Sequence, residues 1–119
     1  MPALWGGHRI MKKRVITFNA VEGYHYYPNA PKFCEYLKNI HRHIFEIRCE
    51  FEVQNNNREI EINEMQKKIK KKLKGLFGEP CNFGRRSCED IAEILCSSYE
   101  NIVSVEVLED GYGGAKITK

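Results

Sequence analysis

Residues 41–53 read His-Arg-His-Ile-Phe-Glu-Ile-Arg-Cys-Glu-Phe-Glu-Val, and apolar and charged residues alternate along them. This period of two, sustained over most of the segment, predicts a half-buried β-strand. Because residues i and i+2 of a strand point to the same face, His41 and His43 should lie side by side at the edge of the apolar face. Strand rise separates them by about 6–7 Å, so both imidazoles could bind one metal ion. The alternative is a pair of surface histidines at the start of a strand.

Length and composition describe an ordinary globular domain. The chain has 119 residues and a net charge of +3, and its sequence has no apolar run long enough for a membrane span. We therefore expect one domain over residues 14–119, preceded by a disordered arm over residues 1–13, with no membrane partner. Much of the positive charge belongs to a lysine-rich run at residues 67–74, which is weak evidence for nucleic-acid binding and fits a solvated helix face better.

The five cysteines have no CxxC spacing. Their odd number predicts free thiols in a reducing compartment, and hence a cytoplasmic protein. Two of them, Cys49 and Cys96, have the pattern of core residues. Cys34 lies in the region that leads to the histidine pair, and it is the one candidate for catalysis.

The remaining periodicities predict an α+β chain with the order ββααββ. A strand at 14–20 should be followed by a loop at 21–31, in which three tyrosines surround His25. The other expected segments are a short helix at 33–40, a possible hairpin strand at 58–62, a helix at 62–76, a polar loop at 81–86, a helix after Ser87 that ends near Tyr99, a strand at 103–109 and a last strand at 115–118.

Two further places suggest ligand binding. Glu109 continues the apolar face of its strand, where a carboxylate is costly to bury unless a ligand such as an aminopyrimidine edge donates hydrogen bonds to it. The alternative is that Glu109 lies beyond the strand, in solvent. Arg85, Arg86 and Ser87 stand at a helix start, where guanidinium groups and free backbone amides could bind phosphate. An exposed basic loop explains this second pattern equally well.

Taken in order, these motifs give a family resemblance. Phe18-Asn19-Ala20 precedes His25, an H-x-H opens the second strand, Ser87-Cys88-Glu89 begins a helix, and a V-x-V-x-E segment ends at Glu109. Residues 14–119 thereby resemble the 6-pyruvoyl-tetrahydropterin synthase and 6-carboxy-tetrahydropterin synthase family, which has the tunnelling fold (T-fold). The resemblance implies an antiparallel sheet with two helices on one face, and a barrel completed by a homo-oligomer, a trimer or a hexamer.

The same resemblance implies the chemistry. It assigns Zn²⁺ to His25, His41 and His43, and it makes Glu109 the anchor for a pterin or purine ring beside Ser87 and Cys88. The activity implied is that of a carbon–oxygen lyase acting on dihydroneopterin triphosphate. Two departures support an alternative, a non-catalytic protein that holds or sequesters a purine nucleotide or nucleotide signal. The family's catalytic cysteine lies a few residues before the H-x-H motif, whereas Cys34 stands seven residues before His41. No histidine follows His43, so the family's Asp-His proton relay is absent.

Overall fold

The computed structural model describes residues 11–119. Most of the predicted N-terminal arm, residues 1–10, lies outside the described residues, and Lys13 already belongs to the first strand. The strands are β1 (Lys13–His25), β2 (His41–Val53), β3 (Cys81–Gly84), β4 (Ile102–Glu109) and β5 (Gly113–Thr118). The helices are a 3₁₀ helix (Lys32–Lys38), α1 (Ile62–Phe77) and α2 (Cys88–Cys96).

The five strands form one mixed sheet in the order β3-β1-β2-β4-β5. The pairs β1–β2, β2–β4 and β4–β5 are antiparallel, whereas β3 pairs in parallel with β1. The predicted α+β class is confirmed, and the predicted sheet is corrected from antiparallel to mixed. The additional strand, β3, lies within the polar loop expected at 81–86. It has only four residues, which is too short for its alternation to be recognised from the sequence.

β1 continues further than its sequence suggests. The loop predicted for residues 21–31 begins too early, since β1 runs to His25 and pairs with β2 along its whole length. Gly23, inside the predicted loop, occupies a strand position against which β3 packs closely. A Cβ atom at Gly23 would lie 2.7 Å from the Phe83 ring, so this contact requires glycine.

Both helices cover the same face of the sheet. The buried cluster joins Ile69 and Leu73 of α1, Ile91 and Leu95 of α2, and the inward-facing residues of β2 and β4. Its other members include Phe45, Ile47, Cys49, Phe51, Phe83, Cys96, Val105 and Val107. Cys49 and Cys96 are therefore core residues, as predicted. Among the described residues, none of the helices is long and apolar enough to cross a membrane.

The predicted hairpin strand at 58–62 is absent. Residues 54–61 form bends, in which the Glu59 carboxylate accepts hydrogen bonds from the Gln54 and Asn55 amides. The Glu61 carboxylate then accepts hydrogen bonds from two backbone amides of the first turn of α1. This N-cap starts the helix at Ile62, where the predicted strand would end. At α2, Ser87 and Asp90 form a reciprocal capping box, which fixes the helix start beside the cavity described below.

Candidate metal centre

Three histidines meet where β1 ends and β2 begins. His25 is paired directly with His41 across the two antiparallel strands, and His43 follows on the same face of β2. One ring nitrogen from each side chain lies within 4.8 Å of those of the other two. The histidine cluster, His25, His41 and His43, could therefore hold a metal ion, as the strand pattern predicted for two of its members.

Each imidazole of the histidine cluster is oriented by an oxygen atom outside it. Nδ1 of His25 is 2.9 Å from the Arg86 carbonyl, and Nδ1 of His41 is 2.8 Å from the Asn39 carbonyl. A carbonyl can only accept, so both Nδ1 atoms carry a proton. In the neutral rings Nε2 then keeps its lone pair, which is the form that binds metals.

The third imidazole is oriented by a side chain. Nδ1 of His43 lies 2.6 Å from the Asp110 carboxylate. The Nε2 atoms of His25 and His43 are buried, and apart from the Glu109 carboxylate described next they have no polar partner among the described residues. Buried nitrogen atoms with free lone pairs, on rings held from behind by oxygen acceptors, are the arrangement found around bound metal ions. The donor set thus fits a metal ion.

Glu109 lies against the histidine cluster. Its Oε2 is 3.0 Å from Nε2 of His25, and its Oε1 is 3.7 Å from Nε2 of His43. The Cys88 thiol donates a hydrogen bond to the same carboxylate over 3.5 Å. Glu109 therefore lies between the candidate metal centre and an adjoining cavity.

The pKa values of Glu109 and His25 reflect the attraction between the carboxylate and the imidazole. Interaction with His25 lowers the pKa of Glu109, more strongly than burial raises it, and the charge of His43 adds to the effect. Burial lowers the pKa of His25, but Glu109 and the Arg86 carbonyl together outweigh it, so the net pKa of His25 is raised. Without a bound cation, Glu109 and His25 form an ion pair.

An open cavity of about 690 Å³ extends from this centre. Its wall brings together most of the residues that the sequence singled out separately: His25, His41, Arg85, Arg86, Ser87, Cys88 and Glu109. Tyr26 and Tyr27 also line it, so the aromatic loop forms part of the cavity wall. The volume is in the range of ordinary small-molecule sites.

The two arginines differ in what they can offer a ligand. The Arg86 guanidinium donates to the Phe83 carbonyl over 3.3 Å and lies 5.2 Å above the Phe77 ring, so it is engaged in packing. Arg85 is exposed and forms no ion pair with any described residue. Of the predicted phosphate-binding pair, Arg85 is the guanidinium available to an anion.

The structure does not bring the predicted catalytic thiol to the cavity. Cys34 lies on the 3₁₀ helix and is not part of the cavity wall. The cysteine that does line it is Cys88, where burial and the neighbouring Glu109 raise the thiol pKa to about 12. Cys88 is therefore protonated at neutral pH and is a poor nucleophile.

Sequence reasoning missed the residues that orient the imidazoles. Asp110 follows directly after the predicted strand, and Asn39 and Arg86 act through backbone carbonyls, which side-chain identity does not reveal. Asp110 carried a usable signal, because an aspartate directly after a strand often turns the chain and binds nearby backbone groups. Its φ of +52° is consistent with that role.

No known family model matches the chain, and no curated protein sequence matches it significantly. The class of site is therefore defined by its geometry: a three-histidine centre on paired strand ends, with a carboxylate and an open cavity beside it.

Proposed function

We propose that the chain is a T-fold protein similar to 6-pyruvoyl- and 6-carboxy-tetrahydropterin synthases, and that its cavity binds a pterin or purine nucleotide beside a zinc ion. One observation carries the proposal. Two histidines of the cluster, His25 and His41, line the same cavity as the Glu109 carboxylate and the free Arg85 guanidinium, although these residues come from distant parts of the chain. A ligand with a ring, a polar side chain and a phosphate would use all three.

Zinc suits the donor set because three neutral imidazoles leave one coordination position open, as in catalytic zinc sites. When bound, the ion would supply a Lewis acid for a hydroxyl or carbonyl oxygen of the ligand. The protein contributes ligand orientation: the acceptors behind His25, His41 and His43 hold each Nε2 toward the centre. Such outer partners strengthen metal binding.

Glu109 is proposed to anchor the ring of the ligand. Both of its oxygens are near the edge of the cavity, and a pterin or guanine edge offers paired N–H donors that match a carboxylate. Hydrogen bonds to a charged group contribute about 1.5–3 kcal/mol, so Glu109→Ala should weaken binding roughly ten- to a hundredfold. Arg85, at the rim, is proposed to pair with phosphate.

A homo-oligomeric barrel, a trimer or hexamer, belongs to the same proposal. β1 pairs with β3 only from Gly23 onward, so the earlier part of its outer edge has no partner strand among the described residues. β5 lies at the opposite edge of the sheet. Two open edges on a small domain favour pairing with further copies, which sedimentation at micromolar concentration measures directly.

A specific observation favours binding without turnover as the second candidate. The cavity offers no activated thiol, since Cys34 lies elsewhere and the pKa of Cys88 is raised to about 12. Proton transfer at the ligand's side-chain carbons needs a base matched to neutral pH. Incubation with dihydroneopterin triphosphate separates the candidates: product formation supports the lyase, and tight binding without product supports a protein that sequesters its ligand.

The metal site is tested first. Elemental analysis and native mass spectrometry of protein purified without chelator should find about one zinc ion per chain. The double variant His41→Ala, His43→Ala should lose it. Arg42→Ala is the matched control, because Arg42 lies between the two histidines but points to the other face of β2, where it pairs with Glu22. Metal-free wild-type protein would refute the zinc assignment.

Ligand binding is tested second, by calorimetry with pterins, guanine nucleotides and cyclic nucleotides. Binding that survives in Glu109→Ala without loss of affinity would refute the ring-anchor role. Arg85→Ala should reduce affinity for phosphorylated ligands and leave that for the free pterin unchanged, because its proposed contact is with phosphate.

A further inference from the structure

Asp110 connects the candidate metal centre to the edge of β2. Its backbone amide donates to the Ile44 carbonyl over 2.9 Å, and its Oδ1 accepts from the Ile44 amide over 2.8 Å. Its Oδ2 accepts from Nδ1 of His43 at 2.6 Å. One residue thus binds the backbone after His43 twice and the His43 ring once.

We propose that Asp110 is a positioning residue of the metal centre, which holds His43 with a protonated Nδ1 and an Nε2 lone pair aimed at His25 and His41. This inference rests on the proposed metal site. His43 is the one member of the histidine cluster whose Nδ1 atom is held by a side chain, since Nδ1 of His25 and of His41 face backbone carbonyls.

The difference between these acceptors has a chemical consequence. An ionised carboxylate is a stronger acceptor than a carbonyl, and it makes the opposite nitrogen of the imidazole a better metal donor. The His43 side chain is also 20% exposed, compared with 9% for His25, so packing holds its ring less tightly. Asp110 therefore supplies to His43 the orientation that burial supplies to His25.

Two substitutions remove the contacts of Asp110 in part or in full. Asp110→Asn keeps one acceptor oxygen in place of two, so it can serve either the Ile44 amide or Nδ1 of His43, and it suits the positive φ because asparagine tolerates the left-handed region. Asp110→Ala removes both acceptor oxygens. Asp90→Asn is the matched control: Asp90 also lines the cavity, but its carboxylate caps α2 and does not touch the histidine cluster.

The experiment measures Zn²⁺ affinity of the full chain by competition with a chromogenic chelator. Asp110→Ala should weaken binding by about 10–100-fold, the usual effect of removing an outer-shell partner, and Asp110→Asn should lie between it and the wild type. Asp90→Asn should bind as the wild type does. Thermal unfolding of each metal-free variant checks that it is folded before affinities are compared.

A second readout detects the orientation itself. In metal-free protein at a pH where His43 is neutral, the ¹⁵N shifts of its ring should show a protonated Nδ1 and an unprotonated Nε2. Asp110→Ala should move His43 toward the opposite tautomer, because it removes the acceptor of the Nδ1 proton. Weaker zinc binding with an unchanged tautomer would mean that Asp110 does not set the orientation of the His43 ring, and it would overturn the inference.

The outcomes distinguish this inference from the proposed function. If Asp110→Ala binds zinc as tightly as the wild type does, the role of Asp110 is refuted and the proposed metal centre is unaffected. Wild-type protein that binds no zinc would refute the metal centre, and the role of Asp110 in metal affinity with it.

Discussion

Replacing Glu109 with glutamine in metal-free protein should reduce stability in a pH-dependent way. Glutamine has nearly the same shape and still offers an oxygen to the Cys88 thiol, but it removes the charge that faces Nε2 of His25 at 3.0 Å. The change therefore isolates the ion pair between Glu109 and His25.

The sign of the effect follows from the two pKa shifts. The pKa of His25 is raised above its ordinary 6.5, so its contribution is complete below pH 6.5 and is lost as the pH rises through the folded-state value. The pKa of Glu109 is lowered below its ordinary 4.5, so its contribution is complete above pH 4.5 and is lost as the pH falls through the folded-state value. Both contributions are complete between pH 4.5 and 6.5.

The magnitude follows from the burial of the pair. The His25 side chain is 9% exposed and that of Glu109 is 32% exposed, which places the pair between a surface salt bridge and a buried one. Charged hydrogen-bonded partners contribute about 1.5–3 kcal/mol and exposed pairs 0–1 kcal/mol, so we expect a loss of about 1–2 kcal/mol for Glu109→Gln. That loss corresponds to a fall of roughly 3–10 °C in the unfolding temperature of a domain this size.

The assay is thermal unfolding of chelator-treated wild-type and Glu109→Gln protein from pH 4 to 9. The difference in unfolding temperature should be largest between pH 4.5 and 6.5 and should shrink as His25 loses its proton. Glu106→Gln is the control, because Glu106 precedes Glu109 on β4 and lies outside the histidine cluster. A difference that stays constant from pH 4 to 9, or grows above pH 7, would refute the ion-pair reasoning.

Two further predictions test the thiols and the close approach of β5 to β4. At neutral pH, iodoacetamide should modify Cys34 first and spare Cys88, whose pKa is raised to about 12, until denaturant is added; early labelling of Cys88 in mass spectrometry would contradict the burial described here. Gly114→Ala should destabilise the protein by at least about 1–3 kcal/mol in urea unfolding, because the new Cβ would lie 1.7 Å from the Val107 carbonyl oxygen. Gly113→Ala, with open space around its Cβ position, should change stability little, and equal losses in the two variants would contradict the close approach.

The parts of the fold that have long, regular periodicity could be predicted from the sequence. The alternation of residues 41–53 gives β2 with its correct inward face, and the three- and four-residue spacing after Ile62 gives α1. β3 could not be found this way, because its assignment depends on a parallel pairing with Gly23 and Tyr24 that only the folded chain creates. The expected strand at 58–62 failed for a related reason: capping by Glu61 outweighs local strand propensity.

The candidate site was predictable to a similar extent. His41 and His43 follow from strand geometry, whereas the position of His25 depends on how far β1 extends and on its register with β2. Arg86 shows why side-chain identity alone is insufficient. Its charge suggested phosphate binding, yet its guanidinium packs on Phe77 and its carbonyl orients His25. Function here depends on backbone groups that the sequence does not display.

The register between β1 and β2 links the core to the candidate metal centre. His25 is opposite His41, and the same pairing places Phe45, Ile47 and Cys49 beneath the helices. A slip of one residue in β2 would turn its apolar residues and both of its histidines to the other face of the sheet. The burial that stabilises the sheet therefore also selects the register in which three imidazoles converge. The candidate metal centre thus depends on the long-range packing of the sheet.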